Sequence, residues 1–428
     1  MSAAANAFLG GARSRLLPAW TTLRFFAAAA VFHLLAWLAL AAGAMHWIGF
    51  AGGLGWPLAA LHLLTLGVFG TAALGAGAQL VPVATRRAAP GHRLLTAIWW
   101  IYTPAVALLV LGMGLPRPSW LAAGALAVAL CLAAWGVLMA RNLRGGLGMR
   151  GVLAHGWTAL ASLAVLLGSA LSLAATWLGL AAPARGTAVA LHLVFAPFGF
   201  MGLLALGLSA ILVPMFALAE APRERDQLAS CGLGAAALLL AGAAALGVAP
   251  TGLRLAAIAL AALAVALHLR SMRQALRTGM RQALGRSFVL VKVGWGGLAA
   301  SLAVALAMVL ELPVPRLEAW FGLCVIGVWL LSFVLGMLQR ILPFLAAMHA
   351  AGAGRRAPTP SSLTHERALA IHFRCHLAAL AGLGAAIALD SAWLAALAAA
   401  VGAAGAAAFC WFAAVVLGRL AQKTRTLS

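Results

Sequence analysis

Apolar positions in this chain come in long unbroken runs, not in the narrow stripes of a helix that faces water on one side. Read against a span of about 20 residues, the runs predict twelve helices. They fall at approximately 22–44, 56–84, 94–115, 118–140, 152–180, 186–217, 227–248, 252–270, 286–310, 318–347, 369–389 and 391–418. Polar residues gather between the runs in two kinds of segment. Strongly basic ones occupy the N-terminus, 86–93, 141–150, 221–226, 270–286, 354–367 and the C-terminal tail. Short, weakly charged ones fill the alternate gaps. Twelve spans place every basic segment on one side, and an odd number would scramble that order. Lys and Arg collect in cytoplasmic loops, so both termini are expected in the cytoplasm. The first run follows Arg13, Arg15 and Arg24 much as a signal peptide would. It is long enough to span, however, and reads as the first helix.

Composition narrows the class. The chain has 428 residues, of which 65% are hydrophobic and only 8% charged. Soluble domains carry about a quarter charged residues, so this surface cannot face water. The expectation is one all-α integral membrane domain over residues 1–428, multi-pass in a bacterial inner membrane with the lipid bilayer as its first partner. The formal net charge of +22 then belongs to loops on one side and is no nucleic-acid footprint. Cys131, Cys231, Cys324, Cys375 and Cys410 lie in or at the ends of apolar runs without a CxxC pair. They read as small buried hydrophobes rather than a disulfide framework or zinc site.

An internal repeat emerges from three helix endings. Gly75 precedes Pro82 by seven residues, Gly207 precedes Pro214 by seven and Gly336 precedes Pro343 by seven. An apolar pair stands before each proline, in "LVP", "LVP" and "ILP". The prolines are 132 and 129 residues apart and lie on the second, sixth and tenth predicted helices. The unit is therefore four helices used three times. The proline is expected to mark the inner helix end, where a missing N–H is tolerated. The glycine is expected to allow a close helix crossing.

Twelve helices in three four-helix arcs resemble the heme-copper oxidase superfamily, subunit I, and more closely its oxidase-like and NnrS-type relatives. The residues that carry the resemblance are His62 in "LHLLTLG", His192 in "LHLVFAPFGFMG", and the "QLVP", "ILVPMF" and "LQRILPF" endings. The resemblance covers the whole chain as topology and some 70 residues as motif. It implies that His62 matches a low-spin heme ligand and His192 a copper ligand. The tyrosine it implies four residues after His192 is absent, since position 196 is alanine and Tyr102 is the only tyrosine. The seventh helix has no histidine, and Leu323 or Phe321, beside Cys324, stands where the tenth should supply heme ligands. Oxygen reduction needs that cluster. All seven acids (Glu220, Glu224, Asp226, Glu311, Glu318, Glu366 and Asp390) fall at helix ends or in loops, which leaves no acidic relay for proton pumping.

The remaining candidates are histidines. If His62 and His192 face the bundle interior, they are placed to hold a bis-histidine heme or a copper ion. His33 and His46 are weaker candidates in the central or outer membrane. His372 and His376 share one helix face at i, i+4, a spacing that fits a metal pair, with His349 and His365 close in sequence. The competing reading for each is an ordinary hydrogen-bonded histidine. His92, His155 and His268 read as inner-surface residues, while Lys292 and Arg340 are expected to snorkel. Trp47, Trp56, Trp177 and Trp320 fit an interfacial belt. Two functions stay open. One is a non-catalytic heme- or copper-binding oxidase-like protein linked to respiration, to nitric oxide or to metal stress. The other is a metal-free transporter or a structural subunit of a respiratory membrane complex.

Overall fold

The computed structural model describes residues 15–180, 184–350 and 358–425. Arg13, Arg355 and Arg356, counted above among the basic inner positions, lie outside the described residues. The described residues contain twelve helices long and apolar enough to cross a membrane. They are α1 (Ala19–Ala42), α2 (Trp56–Thr85), α3 (His92–Gly114), α4 (Pro118–Leu143), α5 (Arg150–Trp177), α6 (Arg185–Ala217), α7 (Glu224–Ala245), α8 (Pro250–Thr278), α9 (Gly285–Val309), α10 (Leu317–His349), α11 (Glu366–Ala388) and α12 (Ala392–Gln422). Most ends agree with the apolar runs to within a few residues. The exception is α8, which continues through "SMRQALRT" to Thr278. Hydropathy falls at Arg270, but a helix outside lipid needs only helix-forming residues.

Burial separates the spans into two kinds. In α2, α6 and α10 the most apolar stretch is 67%, 83% and 67% buried, against at most 56% in any other span. These three form the centre: the N-terminal halves of α2 and α10 pack together, as do those of α6 and α10, and the C-terminal halves of α2 and α6 touch. Around them α3 pairs with α4, α7 with α8 and α11 with α12, while α12 also packs on α1 and so closes the ring. The outer spans leave Trp100, Leu130, Leu239 and Leu263 uncovered. Such a belt suits lipid contact and would be costly in water.

The three central spans share one irregularity. Each contains a segment with i→i+5 backbone bonding, a π-helix: Leu63–Gly70 in α2, Phe195–Gly202 in α6 and Leu323–Leu331 in α10. Such segments are rare and mark places where a helix departs from its regular register. The fifth residue of each is glycine. A Cβ built on Gly67 would lie 2.7 Å from Phe32 of α1, on Gly199 2.7 Å from Ser162 of α5, and on Gly327 3.0 Å from Leu380 of α11. The repeat glycines do the same further in. A Cβ on Gly75 would meet Phe25 and Phe26 at 3.0 Å, on Gly207 the His155 Cβ at 2.6 Å, and on Gly336 the Ser287 carbonyl at 2.6 Å. These are the close crossings that the glycines were expected to permit.

The prolines behave differently from the expectation. Helices α2, α6 and α10 run on past Pro82, Pro214 and Pro343 to Thr85, Ala217 and His349. The true stops in α2 and α6 are the left-handed residues Arg86 and Leu218. After them the Arg87 N–H reaches the Pro82 carbonyl at 3.1 Å and the Ala219 N–H the Pro214 carbonyl at 2.9 Å. Each helix thus ends in a Schellman-type closure anchored on the proline carbonyl.

Polar contacts fix which helix ends lie together. The Arg150 N–H at the start of α5 donates to Glu224 at the start of α7 at 2.7 Å. Arg286 at the start of α9 pairs with Glu366 at the start of α11 at 3.5 Å. At the opposite end Arg316, just before α10, pairs with Asp390, just after α11. The starts of α5 and α7 therefore lie together, as do those of α9 and α11, in keeping with an up-and-down bundle.

Candidate functional site

Buried histidines are expensive among apolar helices unless their nitrogens find partners. The structure sorts the buried and half-buried histidines of its interior into three groups. The first joins α2 and α6. His62 immediately precedes one π-helical segment and His192 lies three residues before another, so both project where the central spans leave regular register. Their ring centroids are 6.3 Å apart with planes 30° from parallel. His62 Nδ1 bonds the Leu58 carbonyl at 3.0 Å, which leaves Nε2 as a lone pair. His192 Nδ1 is buried and unpartnered. The resemblance assigned these two residues to separate centres, a heme and a copper. The structure instead brings them to each other.

The second group gathers His33 of α1 with His372 and His376 of α11. Ring centroids lie 5.8 Å apart for His33–His372 and 5.6 Å for His372–His376. The sequence reading placed His33 with the outer histidines and His372/His376 with His349 and His365. That grouping is corrected. His365 caps the first turn of α11 through the Ala368 N–H at 3.2 Å and stacks on Trp411, and His349 is the last residue of α10. The triad carries its own bonding logic. Trp37 Nε1 donates to His33 Nε2 at 3.0 Å, so His33 carries its proton on Nδ1. His372 Nδ1 meets the Gly405 carbonyl at 3.2 Å, which makes its Nε2 an acceptor. His376 Nε2 meets Ser332 at 2.8 Å. His33 Nδ1, His372 Nε2 and His376 Nδ1 are all buried without a hydrogen-bond partner, so the three rings pack together with one nitrogen of each unpaired. His46 joins neither group and is exposed in the short helical turn Ala44–Trp47 that follows α1.

The third group was missed. His155 lies near the start of α5 and His268 towards the end of α8, but they are 3% and 6% exposed and line one cavity. One sequence signal pointed there: the Leu-His-Leu tripeptide of Leu61–Leu63 and Leu191–Leu193 recurs at Leu267–Leu269.

Other expectations settle more simply. Lys292 is exposed. Arg340 is tied to α9, through Nε to the Ser287 hydroxyl at 2.7 Å and through Nη2 to the Leu284 carbonyl. It is a clamp between spans. The five cysteines are free thiols.

The donor sets can now be tested against the groups that the resemblance implies. Among the described residues, no three or more His, Cys, Asp or Glu side chains are grouped to hold a metal ion. What the central spans offer is a two-imidazole set. With metal–nitrogen bonds of about 2.0–2.1 Å, one ion between two imidazoles in line would separate their centroids by roughly 6.4 Å. The His62 and His192 rings stand 6.3 Å apart between centroids in a stacked orientation, 30° from parallel, so a shared ion would require their nitrogens to turn toward it. A porphyrin fits poorly. It needs an open slab beside the π-helical segments, and their glycine faces are filled by Phe32, Tyr102, Ser162 and Trp329. The chain matches no family model and no curated protein.

Proposed function

We propose that this protein is a non-catalytic, oxidase-like membrane protein that binds copper between His62 and His192, in the service of respiration or of nitric oxide or metal stress. The observation that carries the reading is the approach of these two rings, 6.3 Å between centroids. One nitrogen of His62 is already spent on a backbone carbonyl and one of His192 is buried without a partner. Metal-ligating histidines commonly give their second nitrogen to a carbonyl in this way, and imidazole suits copper.

The proposal includes the architecture of three four-helix arcs, with both termini on the cytoplasmic side of a bacterial inner membrane. Its support is the matching π-helical segments and glycine crossings of α2, α6 and α10, and the basic loops on one face. The copper and heme ligands implied for the seventh and tenth helices are absent from the sequence, so oxygen or nitric oxide reduction is not part of the reading.

The competing function, a metal-free transporter or structural subunit, draws on the donor count of two. One preparation separates them. Protein purified from copper- and heme-replete cells is expected to hold about one copper per chain, lost in His62→Ala and in His192→Ala. Metal-free, colourless wild-type protein would favour the competitor, and a Soret band would replace copper by heme.

A further inference from the structure

Three polar side chains near the inner helix ends converge without partners. His155 in the first turns of α5, Gln227 in the first turn of α7 and His268 towards the end of α8 line one cavity together with Asp226, Ser230 and Ser271. All three are more than nine-tenths buried, at 3%, 8% and 6% exposure. His155 Nε2, Gln227 Oε1 and His268 Nε2 have no hydrogen-bond partner. Their neighbouring atoms are engaged. His155 Nδ1 bonds the Gly151 carbonyl and Gln227 Nε2 donates to the Pro222 carbonyl, both at 2.8 Å. These bonds leave His155 Nε2 a lone pair and Gln227 Oε1 an acceptor. The two serines offer no relief, because their hydroxyls donate to the Ala264 and Leu267 carbonyls at 2.9 and 3.0 Å. Two acceptors, His155 Nε2 and Gln227 Oε1, are thus left unpaired beside the unpartnered His268 Nε2, and a cation would satisfy all three once His268 carries its proton on Nδ1.

We propose that this cavity binds a single divalent transition-metal ion of the zinc type, ligated by His155 Nε2, His268 Nε2 and Gln227 Oε1. The space admits an occupant about the size of one water molecule. Two imidazole nitrogens, with His268 in its Nδ1–H tautomer, select a borderline transition ion over magnesium or calcium, which take oxygen ligands. The His155–Gly151 bond fixes the tautomer a ligating histidine needs. The Asp226 side chain at the cavity's edge is 37% exposed and pairs with Arg225 at 3.5 Å, which places the cavity next to solvent. The site shares no residue with the His62–His192 pair and stands whether or not copper binds there.

The test uses full-length protein in detergent, stripped with a chelator and titrated with Zn²⁺ alone and with Co²⁺ alone. About one equivalent per chain is expected to bind at this site, with a visible Co²⁺ band and a raised Tm. His155→Ala and His268→Ala should each weaken zinc binding by at least about tenfold. His62→Ala should leave it unchanged, and Gln227→Glu, which keeps the oxygen and adds charge, should retain or tighten it. Folded wild-type protein that takes up neither ion, its cavity holding ordered water only, overturns the proposal. So does zinc binding that survives both histidine variants. Should either histidine variant fail to fold, the wild-type titration and Gln227→Glu decide.

Discussion

Tyr102 on α3 donates its hydroxyl hydrogen to the Leu66 carbonyl of α2 at 2.9 Å, within the π-helical segment Leu63–Gly70. The partner segment makes room for it: a Cβ on Gly70 would lie only 2.2 Å from the tyrosine oxygen. A π-helical turn loosens the regular carbonyl ladder, and here outside groups take up the slack. The Thr71 hydroxyl likewise turns back to the Gly67 carbonyl, and the Ser332 hydroxyl to the Gly327 carbonyl at 3.4 Å. Removing one such donor leaves a buried carbonyl unpaired. Tyr102→Phe is therefore expected to destabilise the protein by about 1–3 kcal/mol, read as a lowered Tm in detergent, without changing copper stoichiometry.

The repeat glycines should differ in tolerance. At Gly336 the added methyl meets a backbone carbonyl, that of Ser287, at 2.6 Å. At Gly75 it meets phenylalanine side-chain atoms at 3.0 Å, and the ring edge of Phe26 can turn aside. Gly336→Ala is expected to cost about 1–3 kcal/mol and Gly75→Ala visibly less. Thermal unfolding of the two variants side by side checks the order, and equal losses would contradict it.

Arg340 separates a structural from a ligand-binding role. Its guanidinium holds the start of α9 to α10 through Ser287 and Leu284. Arg340→Gln should lower stability by about 1–3 kcal/mol while copper bound per chain stays at the wild-type level. A loss of copper with unchanged Tm would place the arginine in the metal site instead.

Sidedness has a direct reading through exposed loop residues. Leu147, between α4 and α5, and Leu389, at the end of α11, are 86% and 70% exposed. In a chain freed of its native cysteines, Leu389→Cys should react with a membrane-impermeant maleimide on intact spheroplasts. Leu147→Cys should react only after permeabilisation. The reverse pattern would put both termini outside.

How much of this was legible in the sequence depends on which force writes each feature. Transfer of apolar side chains into lipid acts on runs of residues, so hydropathy located all twelve spans. It failed at Arg270, where hydropathy falls but α8 runs on to Thr278. The glycines of α2, α6 and α10 could be found because close helix approach tolerates few other residues. The π-helical segments could not, because i→i+5 bonding has no residue code; the repeated glycines at Gly67, Gly199 and Gly327 hint at it only once the structure aligns them. The prolines misled because a missing N–H is tolerated inside a helix buried among neighbours. The histidines were misgrouped for a plainer reason. His33 and His372 are far apart in sequence, and only the closure of α12 onto α1 brings the two ends of the chain together. His155 and His268 looked like surface residues because nearness to a loop was read as exposure.

A regular helix advances by about 100° per residue, so one residue more or fewer turns everything beyond it by more than a quarter turn. Each wider turn in α2, α6 and α10 therefore acts as a rotary offset between two halves of the same span. Below it, Gly75, Gly207 and Gly336 face the neighbouring odd-numbered helix. Above it, His62 and His192 face each other. Deleting a single residue from Leu63–Gly70 would leave every side chain of α2 intact and still swing His62 away from His192. The alignment of the pair is thus stored as a length in the chain, and an insertion or deletion can erase it as completely as the loss of either histidine.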